Sequence, residues 1–267
     1  MHMAFEDLKQ RHAAMWGSAP FERIAVTLAE MHRVIVDAVA GDPGKRWLDV
    51  GCGTGELAFS AAGTGAEVVG ADLSAVLVET ARRQAAERNV AVTFEVGDAE
   101  ALPYGDSSFD IVTSSVGAIF APDHRAVGAQ LARVCRPGGE LAMTAWTSGE
   151  EVDEFFRIIG SYAPPSPPDA GVAGSWGEPG YAESLLGDDF ELTITAKDTP
   201  WEAESADELW TEMSEAFGPI KTLLQVLEPA RAESLEEELL ELFRDEETES
   251  GLLMSRPYLL VHGVRRG

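Results

Sequence analysis

The chain of 267 residues sets 46 acids against 20 lysines and arginines, a net charge of −26, in a composition that is 45% hydrophobic. That length suits one generous domain or a domain with a cap, and the apolar share is enough for a full core. The acidic balance excludes an electrostatic grip on nucleic acid or on an anionic membrane, and no run approaches the ~20 apolar residues of a membrane span.

The start, Met1-His2-Met3, lacks the apolar core of a secretory signal. Cys52 and Cys135 are too few for a disulfide framework or a metal-ligand set. A cytoplasmic protein without a metal site is expected. From Phe5 to Ala40 apolar residues recur at helical spacing, interrupted at Gly17-Ser18-Ala19-Pro20. This predicts two helices, the second over Phe21–Val39, stopped by Gly41-Asp42-Pro43-Gly44. Short apolar runs then alternate with helical stretches. Strands are expected at Arg46–Val50, Glu67–Ala71, Ala91–Val96, Asp110–Ser115 and Glu140–Ala145, with helices such as Ser74–Arg88 and His124–Cys135 between them. This rhythm indicates βαβ units and a parallel sheet.

After Thr147 the rhythm breaks. Ala163-Pro164-Pro165-Ser166-Pro167-Pro168 can be neither a helix interior nor a central strand, so it reads as a stiff extended connection. Phe190–Ala196 alternates like a strand. Ser205-Ala206-Asp207-Glu208 and Ser234-Leu235-Glu236-Glu237 both fit a capping box that opens a helix. Acidic helices fill the stretch to Glu249, and Tyr258–Val264 closes the chain as a strand. Three parts follow: a helical cap over 1–40, an α/β core over 41–150, and a substrate cap with the last strands over 151–267.

The chemistry is carried first by Leu48-Asp49-Val50-Gly51-Cys52-Gly53-Thr54-Gly55, an apolar strand running into a Gly-x-Gly-x-Gly turn. Glycines let the backbone turn tightly and approach a ligand, which then sits at the carboxyl ends of the strands. The dinucleotide fingerprint would need a small residue where Glu56 stands, facing pyrophosphate. The turn therefore suits a nucleoside without phosphates and disfavours a nicotinamide oxidoreductase. Val68-Val69-Gly70-Ala71-Asp72 ends a second strand in an acid able to accept both ribose hydroxyls. At Gly97-Asp98-Ala99-Glu100 another acid is placed to accept from an adenine amino group. Leu102–Asp110 and Arg136-Pro137-Gly138-Gly139 read as turns before the fourth and fifth strands.

Taken in order, Leu48–Gly55, Gly70–Ser74, Gly97–Asp110 and Arg136–Leu141 resemble the class I S-adenosylmethionine-dependent methyltransferases, within them the small-molecule group that includes the quinone-biosynthesis C-methyltransferases. The resemblance spans about Arg46 to Ala145, and Trp16-Gly17 with Phe21–Ala25 is similar to the leading helices of bacterial members. It implies a doubly wound, mostly parallel seven-stranded sheet, the final strand antiparallel, with helical caps at both ends. It implies S-adenosylmethionine as methyl donor, with Asp49, Gly51 and Gly53 at the methionine end and Cys52 as a small filler in the turn. Asp72 would hold the ribose, Leu73 would pack on adenine, Asp98 and Ala99 would read its edge, and Ser114 or Ser115 would flank the sulfonium.

The partner implied is a small-molecule acceptor methylated on oxygen or carbon, of secondary or quinone-type metabolism. A rival reading is a protein that binds the donor without turnover, whose pocket side chains would plug. Methyl transfer needs alignment and exclusion of water more than a base. If a base is used, His124 is the candidate: the helix N-terminus it is expected to occupy disfavours imidazolium. The alternative is a solvent-facing residue of a first turn. Trp146 either walls the acceptor pocket or packs, and Trp16 either closes over the cofactor or belongs to the core.

Overall fold

The helical spacing at the start of the chain gives α1 (Glu6–Trp16), then α2 (Glu22–Ala25), a 3-10 turn at Val26–Leu28 and α3 (Ala29–Ala38). The computed structural model describes residues 5–147 and 149–267, so the Met1–Met3 start lies outside it. The single helix expected over Phe21–Val39 is thus broken into three pieces. The Thr27 hydroxyl donates to the Ile24 carbonyl three residues back at 2.9 Å, and the pitch tightens there. Helix α3 buries Met31 and Ile35 completely, one turn apart, as an amphipathic stripe requires.

The alternation follows as read: β1 (Arg46–Val50), α4 (Glu56–Ala62), β2 (Glu67–Asp72), α5 (Ala75–Arg88), β3 (Val92–Val96), β4 (Phe109–Ser115), α6 (His124–Val134) and β5 (Cys135–Trp146). Strand β5 begins at Cys135 because Arg136-Pro137-Gly138-Gly139 is a bulge within it. Pairing jumps from Phe109↔Cys135 to Ile111↔Glu140, and Gly138 takes φ +72°. Then come α7 (Glu150–Tyr162), α8 (Pro179–Leu186), β6 (Phe190–Asp198), β7 (Trp201–Ala203), α9 (Ala206–Ala216), α10 (Gly218–Val226), α11 (Pro229–Asp245), β8 (Glu247–Thr248), β9 (Gly251–Met254) and β10 (Pro257–Arg265). Ser205 caps α9 as expected, accepting from Glu208 N at 3.2 Å. The second capping box is a correction. Pro229 opens α11, so Ser234 lies inside the helix and donates back to the Ala230 carbonyl.

Seven strands form one sheet in the order β3-β2-β1-β4-β5-β10-β6. The first five are parallel, and β10 runs antiparallel to both its neighbours. Strand order reverses between β1 and β4, so the connections leaving their carboxyl ends part and open a crevice there. A small sheet, β7-β9-β8, lies in the C-terminal part and had no sequence signal.

Two apolar cores result. One surrounds the large sheet, with Trp47, Ile111 and Leu131 fully enclosed. The other joins α7, α9, α10 and α11 to the small sheet through Phe155, Met213, Ile220, Leu235 and Phe243, and takes in Ile24 of α2.

Candidate functional site

Between the two cores, over the crevice, lies a cavity of about 190 Å³ that opens to solvent.

The floor is the glycine turn after β1. Gly51, Gly53 and Gly55 take φ of +67°, +52° and +97°, a region closed to most side chains. Gly51 also meets Gly117, which follows β4. A Cβ on Gly117 would lie 2.4 Å from the Gly51 carbonyl oxygen, so neither position tolerates a side chain. Before it, Val116 is held at φ +44°, a costly conformation for a β-branched residue, by a bond from its N–H to the Thr144 hydroxyl. The strained pair Val116-Gly117 lines the cavity, and nothing in the sequence marked it.

Three carboxylates reach the cavity from successive strand ends. Asp49 is 1% exposed; Thr113 donates to its Oδ1 at 3.3 Å, while Oδ2 has no partner. Burial pushes this carboxyl up to about 8, with Asp72 adding to the effect and the Thr113 bond opposing it. Asp72 accepts from Gly53 N at 2.9 Å and Ser74 N at 2.8 Å, so it also shapes the glycine turn. Burial raises its pKa and these two N–H groups pull it back. Asp98 accepts Glu100 N on Oδ1. Leu73, Ala99 and Cys52 line the same half of the cavity. Burial raises the Cys52 thiol well above its ordinary pKa, which suits a filler and not a nucleophile. Glu56 pairs with Arg88 of α5.

Helix α1 closes this half from above. Lys9 donates to Asp98 at 2.7 Å and to Glu100 at 3.0 Å. Burial opposes its charge, but the two carboxylates outweigh burial and raise its pKa. Lys9 escaped the sequence reading, since only the fold brings it across 89 positions to Asp98. His12 and His32 also line the cavity and were missed. Burial lowers both, His32 to about 4, so each is neutral at pH 7.

The other half is apolar and aromatic. Trp16 stands 5.0 Å from Phe120 and 5.5 Å from Phe217, centroid to centroid, so it both lines the cavity and packs. Trp146 reaches the cavity from the end of β5, joined by Phe155, Phe156 and Trp201.

Two expected residues stand apart. Ser114 points into the sheet core and accepts from Ala118 N at 2.9 Å; Ser115, its neighbour, lines the cavity. His124 does begin α6, behind an Asp123 cap that accepts from Ala126 N. Its ring, however, is 3% exposed, pairs with the Tyr181 hydroxyl at 2.8 Å and the Ile119 carbonyl at 3.2 Å, and packs on Trp176. It is absent from the cavity wall. Neither the catalytic placement nor the solvent-facing alternative holds.

Residues 48–139 match the family model described as a methyltransferase domain. The chain is similar to the uncharacterized protein Rv1405c of Mycobacterium tuberculosis, 35% identical over 193 residues, 72% of this chain and 70% of that one. It is also similar to the nocamycin O-methyltransferase of Saccharothrix syringae, 40% identical over 116 residues, 42% and 41% of the two chains. Among solved structures, the YcgJ protein of a Bacillus superposes with a TM-score of 0.62 at 20% identity, covering 88% of this chain and 98% of its own.

Proposed function

The chain belongs to the class I S-adenosylmethionine-dependent methyltransferases, and we propose that it methylates the oxygen or carbon of a small, largely apolar acceptor of secondary or quinone-type metabolism. The observation that carries this reading is the division of one cavity into an acidic half at the strand ends and an aromatic half beneath the cap.

The acidic half fits the methyl donor. The unpartnered Asp49 Oδ2 suits the ammonium of the methionine end. Asp72 and Asp98 each retain acceptor capacity beyond the bonds they make, as a carboxylate has about four lone-pair sites. Asp72 is then available to ribose hydroxyls and Asp98 to the adenine amino group, with Leu73 and Ala99 beside the base. When bound, the donor supplies an activated methyl group on a sulfonium.

The chain's own part is placement and dryness. Residues 41–150 form the donor-binding unit, and 1–40 with 151–267 supply its cover and the last strands. Trp16, Phe120, Phe155 and Phe217 exclude water from the transfer zone and give an apolar acceptor its seat. Alignment of this kind substitutes for a base where the acceptor is already nucleophilic. For an acceptor that must lose a proton, the geometry favours His12: it is on the cavity wall and neutral.

The test is a structure with S-adenosylhomocysteine and acceptor. The acceptor belongs in the aromatic half, and an acceptor density confined to the outer surface would refute the assignment.

A further inference from the structure

Charge is sorted sharply along the cavity wall. On the donor side stand Asp49, Glu56, Asp72 and Asp98, with Lys9 committed to two carboxylates. On the aromatic side, among the described residues, the one charged side chain is Arg256. It comes from the link between β9 and β10, and the register Tyr258↔Trp146 sets it at the same sheet edge where β5 ends.

Arg256 is 4% exposed. Nε donates to the Thr199 carbonyl at 2.9 Å, Nη1 to the Thr27 hydroxyl at 3.2 Å, and Nη2 to the carbonyls of Thr27 and Pro200 at 3.0 and 3.3 Å. These acceptors are all neutral. The guanidinium carbon lies 4.5 Å from the Trp201 ring centroid and 5.8 Å from that of Trp146. None of the ion pairs among the described residues involves it. Asp198 acts on it only through space, and commits Oδ1 to the Ser255 hydroxyl at 2.7 Å.

A guanidinium has five N–H groups. Four are used, which leaves one on Nη1. Burial lowers the group to about 10, so it keeps its charge at neutral pH. A buried cation without a counter-ion is costly, and its cost falls when an anion arrives. In a chain of net charge −26 such an anion is otherwise repelled.

We propose that Arg256 is an acceptor-binding residue and that the acceptor is an apolar ring molecule bearing one carboxylate, which docks on the open Nη1 donor beside Trp146 and Trp201. This rests on the methyltransferase reading and narrows its substrate class. The carboxylate is an anchor: the methylated atom lies elsewhere on the molecule.

The test uses a matched pair, 2-naphthoate and 2-naphthamide, titrated into the chain saturated with S-adenosylhomocysteine, with tryptophan fluorescence as readout. The carboxylate should bind about ten- to a hundredfold more tightly, the range of a charge-assisted bond. Arg256→Gln should erase that preference while S-adenosylhomocysteine affinity stays; Arg256→Lys should keep part of it. A carboxylate that binds no better than the amide, including no binding of either, overturns the proposal, as does a preference that survives in Arg256→Gln. The wild-type comparison decides the matter even if Arg256→Gln fails to fold. Failure to bind S-adenosylhomocysteine would instead strike the underlying donor assignment.

Discussion

Lys9 donates to Asp98 at 2.7 Å, and this contact ties the first helix to the loop after β3. The lysine is only 9% exposed in its side chain, and its second carboxylate, Glu100, also receives Asp123 N at 2.7 Å. Helix α1, the loop after β3 and the start of α6 therefore share one partly buried network. Lys9→Met keeps the stem and leaves two partly buried carboxylates without their cation, a change that costs about 1–3 kcal/mol. Thermal denaturation should show that loss, at roughly 2–4 °C per kcal/mol for a domain of this size. An unchanged transition would mean that the network is solvated and that α1 is held by its apolar contacts alone.

Asp72→Ala should weaken S-adenosylhomocysteine binding about ten- to a hundredfold in titration calorimetry, as expected for loss of bonds to a charged group worth ~1.5–3 kcal/mol. The residue also receives Gly53 N and Ser74 N, so the glycine turn should lose hydrogen-exchange protection in the same variant. Full affinity in Asp72→Ala would remove the residue from the site.

The pH dependence has a definite sign. Asp49 has its folded pKa raised to about 8, so in the ligand-free chain the fold holds a proton that the unfolded chain has released above about pH 4. Stability from this group therefore falls as pH rises toward 8. His12, His32 and His124, all lowered by burial, give the opposite slope below about pH 6.5 and are silent above it. Between pH 6.5 and 8 the wild type should lose stability relative to Asp49→Asn, and donor binding should release a proton, read as a dependence of the binding heat on buffer. Parallel stability curves for the two proteins would contradict this.

His124→Gln separates structure from catalysis. The ring is buried and bonded on both nitrogens, so the variant should lose about 1–3 kcal/mol of stability and keep its turnover within threefold. His12→Gln should do the reverse with a protonated acceptor, lowering kcat by roughly 10²-fold at unchanged donor affinity. Equal turnover in His12→Gln would leave transfer to alignment alone.

What was legible in the sequence was local. The strand ends, the glycine turn and the acids at Asp49, Asp72 and Asp98 are fixed by period and by backbone demand, and they converge on one cavity. His124 shows where local reasoning stops: its helix position was right, yet its ring direction is set by Trp176 and Tyr181, on elements that carry no legible signal. Ser234 matched a capping pattern in a helix that Pro229 had already opened. Lys9 and Arg256 become functional candidates only through partners 89 and 229 positions away.

Methyl transfer itself is the most direct measurement of the proposed activity. The chain should be incubated with methyl-labelled S-adenosylmethionine and a panel of phenols, quinols, aromatic carboxylic acids and amines, with nucleic acid and protein as parallel acceptors. Label is expected in a small apolar product, formed by the wild type and lost in Asp72→Ala at limiting donor. Label that stays in the donor with every small acceptor, or moves only to nucleic acid or protein, would contradict it.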